Sequence, residues 1–276
     1  MRNPRFYLSW AMRSVISWIT VAIPLGLVSC ALPTGTQRST VSGNLDQQFW
    51  RSIKKADVIY VGETHDDPAD HQFQLEIIGG LLTRKTKFAI GWEMFDQTQQ
   101  GALDARAAQA ISLEELLAET DFQRHWGIYS PVYRQILQMS GSAKIPNLAL
   151  NAAPELPRKV ARGEPLTDKE KGMMPSGFVS SEQGYQNFVA MMGGHPGTPE
   201  NALRPFFAAQ NVWDQTMASQ ILRFKARNPK LLLVVSTGRG HVSGGFGIPF
   251  YVHQKAAGLK QIVLLREEIN PWAVRR

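Results

Sequence analysis

The chain has 276 residues, 43% hydrophobic and 19% charged, with seven Trp and thirteen Phe; it is long enough for one or two globular domains and too mixed for a fibrous or disordered protein. The formal net charge is +7. Three of the 30 basic residues and none of the 23 acidic ones fall in residues 1–29, so the rest carries 27 against 23, a mild +4 that calls for no nucleic-acid partner.

The N-terminus reads as a targeting segment. Arg2, Arg5 and Arg13 give it a basic start, and Val15 to Val28 is an uncharged, largely apolar stretch of fourteen residues. A spanning helix needs about 20 apolar residues, so this length suits a signal-peptide core better. Leu27-Val28-Ser29-Cys30 closes it and resembles the lipobox of bacterial lipoproteins, in which the Cys carries the lipid after cleavage. An uncleaved anchor is the alternative. Cys30 is the one Cys of the chain, so no internal disulfide forms and lipidation accounts for it. Ala31, rather than Asp, follows it, which by family habit directs the protein to the outer membrane. The expected organisation is a signal peptide over 1–29, a polar tether over 30–46 and an α/β domain over 47–276.

Within that domain the first strand is expected at Val58–Val61, followed by a helix with Asp66 or Asp67 as N-cap and Pro68 at its first position. His71, Leu75, Ile78 and Leu82 would share its inner face. A second strand is expected over 88–94 ("FAIGWEM"), then helices around "LEELLAETDFQRHW" and "SPVYRQILQMS", and a third strand over 147–152. Residues 154–200, rich in Pro and Gly, read as an irregular insertion with short helices. A long amphipathic helix runs from about Leu203 to Arg227, with Leu203, Phe206, Trp213, Met217 and Phe224 as its core stripe. Strands over 231–236 and 261–266 complete a mostly parallel central sheet flanked by helices. The basic residues outside 1–29 lie mostly at helix ends, where they complement the helix dipole.

Parallel sheets gather ligands at the carboxyl ends of their strands. Gly62-Glu63-Thr64-His65 and Gly238-Arg239-Gly240-His241 share the form Gly-x-x-His directly after apolar strands, and Glu93 closes another. Each Gly is read as permitting a tight exit from its strand. Glu63, His65, Glu93 and His241 are a donor set for a divalent metal. Without one they form a Glu/His acid–base system, with Arg239 steadying developing negative charge. Gln210 and Asp214, four apart on the long helix, lie at the edge of its apolar stripe, and Asp214 needs a buried partner that His241 or Arg239 would supply. The plainer alternative for each residue is a local cap or hydrogen bond.

GETH after the first strand, WEMF at the end of the second, "AAQNVWDQTMA" and "GRGHVSGGFGIPFYV" together resemble the ChaN family of haem-binding lipoproteins, over roughly residues 45–266. That family shares a superfamily with the Tiki metalloproteases and the erythromycin esterases. The resemblance implies an outer-membrane anchor, a part in iron acquisition or haem storage, and a homodimer around two stacked haems with a Tyr on the iron and a His near by. From the hydrolases it implies metal-dependent or metal-free ester or peptide hydrolysis at the Gly-x-x-His strand ends.

The haem ligand is sought in the insertion, where "GYQNFVAMMGGHPG" offers Tyr185, Met191, Met192 and His195. Tyr185, Phe188, Met192 and, less exactly, His195 would share a helix face flat enough for a porphyrin; the same residues would equally pack on the sheet. Tyr129, with Trp126 and His125, is a second expected pocket wall. The chain has no CxxCH, so haem is not held covalently. Two readings follow, a lipid-anchored haem carrier or a Glu/His hydrolase.

Overall fold

The structure is a computed structural model that describes residues 47–128, 130–191 and 203–268, with Gln48 and Met191 described in backbone only. The unit starting at Gln47 has its own core. Its five strands are β1 (Val58–Glu63), β2 (Phe88–Asp96), β3 (Asn147–Asn151), β4 (Leu232–Gly238) and β5 (Gln261–Leu265). They form one sheet in the order β3-β2-β4-β1-β5, with every pairing parallel. All residues of β1, β2 and β4 are buried, as near-continuous apolar runs require when helices cover both faces. The strands begin and end close to the expected positions. β1 and β4 run two residues further, so that Glu63 and Gly238 belong to the ladder itself and are paired with each other.

The helices between strands are α1 (Gln47–Ile53), α2 (Pro68–Thr83), α3 (Gln100–Ala107), α4 (Leu113–Glu119), α5 (Phe122–Trp126), α6 (Pro131–Ser142), α7 (Glu155–Arg162), α8 (Asp168–Met173), α9 (Glu182–Met191), α10 (Arg204–Arg227) and α11 (Ile248–Lys255). Met217 and Ile221 of α10 and Ile248 and Val252 of α11 pack on Val58, Tyr60, Leu233 and Val235. The edge of β3 is closed by one side chain: Gln100 donates to the Asn147 carbonyl and accepts the Ala149 N–H, as a further strand would.

Two helix faces differ from the sequence expectation. Asp67 caps α2 through the Ala69 N–H and Pro68 follows, as expected, but the buried face holds Asp70, His71, Phe73, Gln74, Ile77, Ile78 and Leu81, while Leu75 and Leu82 are only half-buried. The end of β1 draws the polar Asp70 and Gln74 inward and rotates the helix accordingly. On α10, Phe206 is 46% exposed and Phe207 is buried instead, because the inward positions are set by Met217 and Ile221 at helical spacing. The insertion forms α7, α8 and α9. Leu156 packs on Val212, whereas Tyr185 and Phe188 make a satellite cluster with Leu203 and Phe207.

Candidate functional site

Three neighbouring strands, β2, β4 and β1, deliver the site. Glu63 ends β1, Glu93 lies near the end of β2, and the exit of β4 between them turns through Arg239 to His241.

Glu63 is 1% exposed. Its Oε1 accepts the Tyr133 hydroxyl at 2.5 Å and faces His65 Nδ1 at 2.9 Å, and its Oε2 accepts the Gln74 amide at 2.8 Å. Ser236 donates to the other end of that amide, which fixes its orientation. Tyr133 donates its one O–H to Glu63, so its oxygen, 3.0 Å from His71 Nε2, accepts the N–H of that ring. Burial and the neighbouring Glu63 charge push the Tyr133 phenol far above its ordinary range, so it stays a donor.

Glu93 accepts the Gly238 N–H at 2.6 Å and the Thr237 hydroxyl at 2.7 Å on Oε2. Its Oε1 faces His241 Nε2 at 3.3 Å and His65 Nε2 at 4.0 Å. On its other side His241 places Nδ1 2.5 Å from Asp214 Oδ1. Gln210 reaches the same ring and the Gly240 carbonyl; with Nδ1–H given to Asp214, its amide protons serve Gly240 and Asp214. Burial disfavours charge on His241, but the carboxylates of Glu93 and Asp214 outweigh it and raise the pKa to about 10. Burial also raises Asp214, against which His241 pulls it down, while Glu93, opposed by burial, is drawn well below the carboxylate range by His241. The proton therefore rests on His241. His65 is raised as well: burial opposes its charge, and the Glu63 hydrogen bond and the Glu93 field exceed that opposition.

The result is one row, Asp214–His241–Glu93–His65–Glu63–Tyr133–His71. His65 is its open member, with 31% of its side chain exposed and Nδ1 held from behind by Glu63. An imidazole so held is poised to accept and return a proton.

The structure thus brings together Glu63, His65, Glu93, His241, Asp214 and Gln210. Arg239 does not join them: its guanidinium turns to Glu267, 2.6 Å away, so the charge-steadying role expected of it has no counterpart in this geometry. Among the described residues no group of three or more His, Cys, Asp or Glu is arranged to hold a metal ion, and the expected site at Glu63, His65, Glu93 and His241 is not supported. Glu93 and His241 there are engaged with each other, with Thr237 and Gly238, and with Asp214. The glycines also act differently from expectation. Gly238 has φ −62°, open to any residue, but a Cβ there would stand 2.6 Å from the His65 ring; one on Gly62 would meet Leu265 at 2.4 Å. Close approach, and not a turn, requires them.

Sequence reasoning missed Tyr133, His71 and Gln74 as site residues, along with the brace in which Arg266 grips Asp70 and Asp67 while Asp70 accepts the Thr64 N–H. The available signal was polar residues interrupting the inner faces of α2 and α6.

Beside Asp214 lies a pocket walled by Phe188, Phe207, Phe246, Phe250 and Tyr251. Phe246 and Phe250, 42% and 40% exposed, form its open rim. Tyr251 donates to Asn211 at 2.6 Å, and burial pushes its phenol up to about 12. Tyr185, expected on a haem, is fully buried, with Phe207 edge-on at 5.5 Å and the Arg204 guanidinium 4.1 Å over its ring. Cys30, Tyr129, Met192 and His195 lie outside the described residues.

No protein of curated function matches the chain. A solved structure of ChaN of Campylobacter jejuni, described as binding haem cofacially, shares the fold at TM-score 0.57 and 20% identity, over 79% of this chain and 83% of that one. The family model for haem-binding uptake proteins of the Tiki superfamily, ChaN, matches residues 49–252, well over half of the 276, and the chain belongs to that family.

Proposed function

We propose that this protein binds haem as cargo and is held to the bacterial outer membrane by a lipid on Cys30, in iron acquisition or haem storage. Membership of the haem-binding uptake family carries the reading. The aromatic pocket supports it: a porphyrin needs a flat apolar contact, and Phe246 and Phe250 offer one at an open rim beside Phe188 and Phe207. Tyr185 and His195 are the candidate iron ligands. Tyr185 reaches an iron only if α9 moves off Phe207, so coordination by it entails a shift of that helix. A second protomer closing over the exposed haem face would give a homodimer.

The test is an absorption titration of residues 31–276 with hemin, repeated on Tyr185→Phe and His195→Ala. A saturable Soret shift that one substitution abolishes is the expected result and names the ligand. A flat titration of the unaltered protein overturns the proposal.

The row at the strand ends favours a second reading, a Glu/His hydrolase. In it His65, oriented by Glu63, takes a proton from water as the oxygen attacks an ester or peptide carbonyl, then returns it to the leaving group. Ester turnover lost in His65→Ala supports this reading; turnover unchanged in that variant removes it.

A further inference from the structure

Each of the five strands is preceded, within three residues, by an exposed lysine: Lys55 before β1, Lys87 before β2, Lys144 before β3, Lys230 before β4 and Lys260 before β5. Because every pairing is parallel, these positions lie along one edge of the sheet. Val58 is paired with both Leu233 and Gln261, and Phe88 with Leu232, so four of the five lysines sit at neighbouring strand starts. Exposed Arg84 and Arg227 end α2 and α10 at the same edge, since helices that return between parallel strands finish where the next strand begins.

Acids are few there. Asp57 is half-buried and engaged by the Lys260 N–H and by Lys225, a buried lysine that otherwise caps the carbonyls of Pro229 and Leu231. Asp104 stands near Arg227 at the β3 corner. The opposite edge holds Asp66, Asp67, Glu93, Asp96 and Glu267 together with Arg239 and Arg266, which pair with Glu267 and Asp67, so the excess of positive charge falls at the lysine edge. Helix-dipole compensation accounts for a single cation at a helix end. It does not require a lysine before every strand, and a parallel sheet sums all of them on one face.

We infer that this basic edge docks on an anionic lipid surface and turns the row at His65 and the aromatic pocket away from it. Charge complementarity supplies the attraction, at roughly fivefold in affinity for each cation near such a surface. The choice of a membrane rests on the lipid-anchor reading. The described chain starts with α1, whose Trp50 packs on Gly80 and under Arg84 at this same edge.

The test uses residues 31–276, which lack the lipidated cysteine, so its failure is separate from failure of the anchor; palmitate labelling of Cys30 in the full chain tests that. Sedimentation with phosphatidylcholine vesicles, with and without phosphatidylglycerol, is expected to show binding only to the anionic ones and release by salt. Lys55→Gln/Lys87→Gln/Lys230→Gln should weaken it on the order of a hundredfold. Arg124→Gln/Lys169→Gln/Lys171→Gln, equal in charge but placed elsewhere, should leave it within a few fold. No binding to anionic vesicles at low salt overturns the inference, as does equal loss in both variants. Tighter binding to duplex DNA than to the vesicles, lost with the same lysines, overturns it in favour of a nucleic-acid surface.

Discussion

Asp214, midway along α10, holds the His241 imidazole at the exit of β4, with Oδ1 2.5 Å from Nδ1. Glu93 faces the other side of the ring, so the imidazolium lies between two buried carboxylates. In Asp214→Asn only one of them remains. The His241 pKa, about 10 in the intact protein, is expected to fall toward its ordinary 6.5. An NMR titration of the ring protons reads the change, and an unaltered midpoint would mean that Asp214 does not hold the charge.

Stability should follow pH in a defined direction. The raised His241 pKa contributes stability that is complete below pH 6.5 and lost as pH rises through about 10. The depressed Glu93 contributes above its ordinary 4.5 and loses that contribution as pH falls below it. Asp214, raised by burial, opposes Glu93 on the acid side and broadens the decline there. Urea midpoints are therefore expected to be highest between these limits and to drop toward alkaline pH. A midpoint that rises steadily from neutrality to pH 10 contradicts a charged His241.

Removing one buried partner should be costly. Glu93→Gln strips the carboxylate that faces His241 and is expected to lose about 3–5 kcal/mol. Tyr133→Phe leaves Glu63 and His71 without the hydroxyl between them and should lose about 1–3 kcal/mol. Chemical denaturation at neutral pH measures both, and a Tyr133→Phe protein of full stability would show that Glu63 finds another donor.

The glycines separate space from backbone conformation. In Gly238→Ala the new methyl displaces the half-exposed His65 ring, at a cost of about 1–3 kcal/mol. The His65 pKa should then fall as it leaves Glu63. Gly247→Ala should cost more. Its φ is +63° and the Cβ would lie 2.2 Å from the His241 carbonyl, which has no flexible end to move. Thermal melts rank the two, and the reverse order would refute the contact argument.

If the aromatic rim receives the porphyrin, Phe246→Ser and Phe250→Ser should each weaken hemin binding about tenfold by removing apolar contact. The Soret maximum should not move, because neither residue touches the iron. Unchanged affinity in both variants would put the haem elsewhere.

The opening of every strand was legible in the chain to within a residue and its closing to within two, as were the capped start of α2 and the polar breaks at Glu63, Glu93 and His241. Apolar runs bounded by Gly, Pro and acids are local signals, and strand-end polar residues in a parallel sheet must share one edge. Asp214 was legible for a similar reason, because a carboxylate on an apolar stripe needs a partner.

Which inward residues meet was not legible. Helical periodicity gives α2 an apolar face but does not reveal that Gln74 turns to Glu63, and it could not choose between Phe206 and Phe207 on α10. Arg239 looked committed to the row until Glu267, from beyond β5, took it away. Gly238 and Glu93 stand 145 positions apart and touch because β4 inserts between β1 and β2. The sequence by itself determined the elements, their order and the polar residues at their ends, since these follow from local pattern and backbone preference. Only the tertiary structure decided the pairing of those ends and the row through His65, because strand order sets distances that no local pattern encodes.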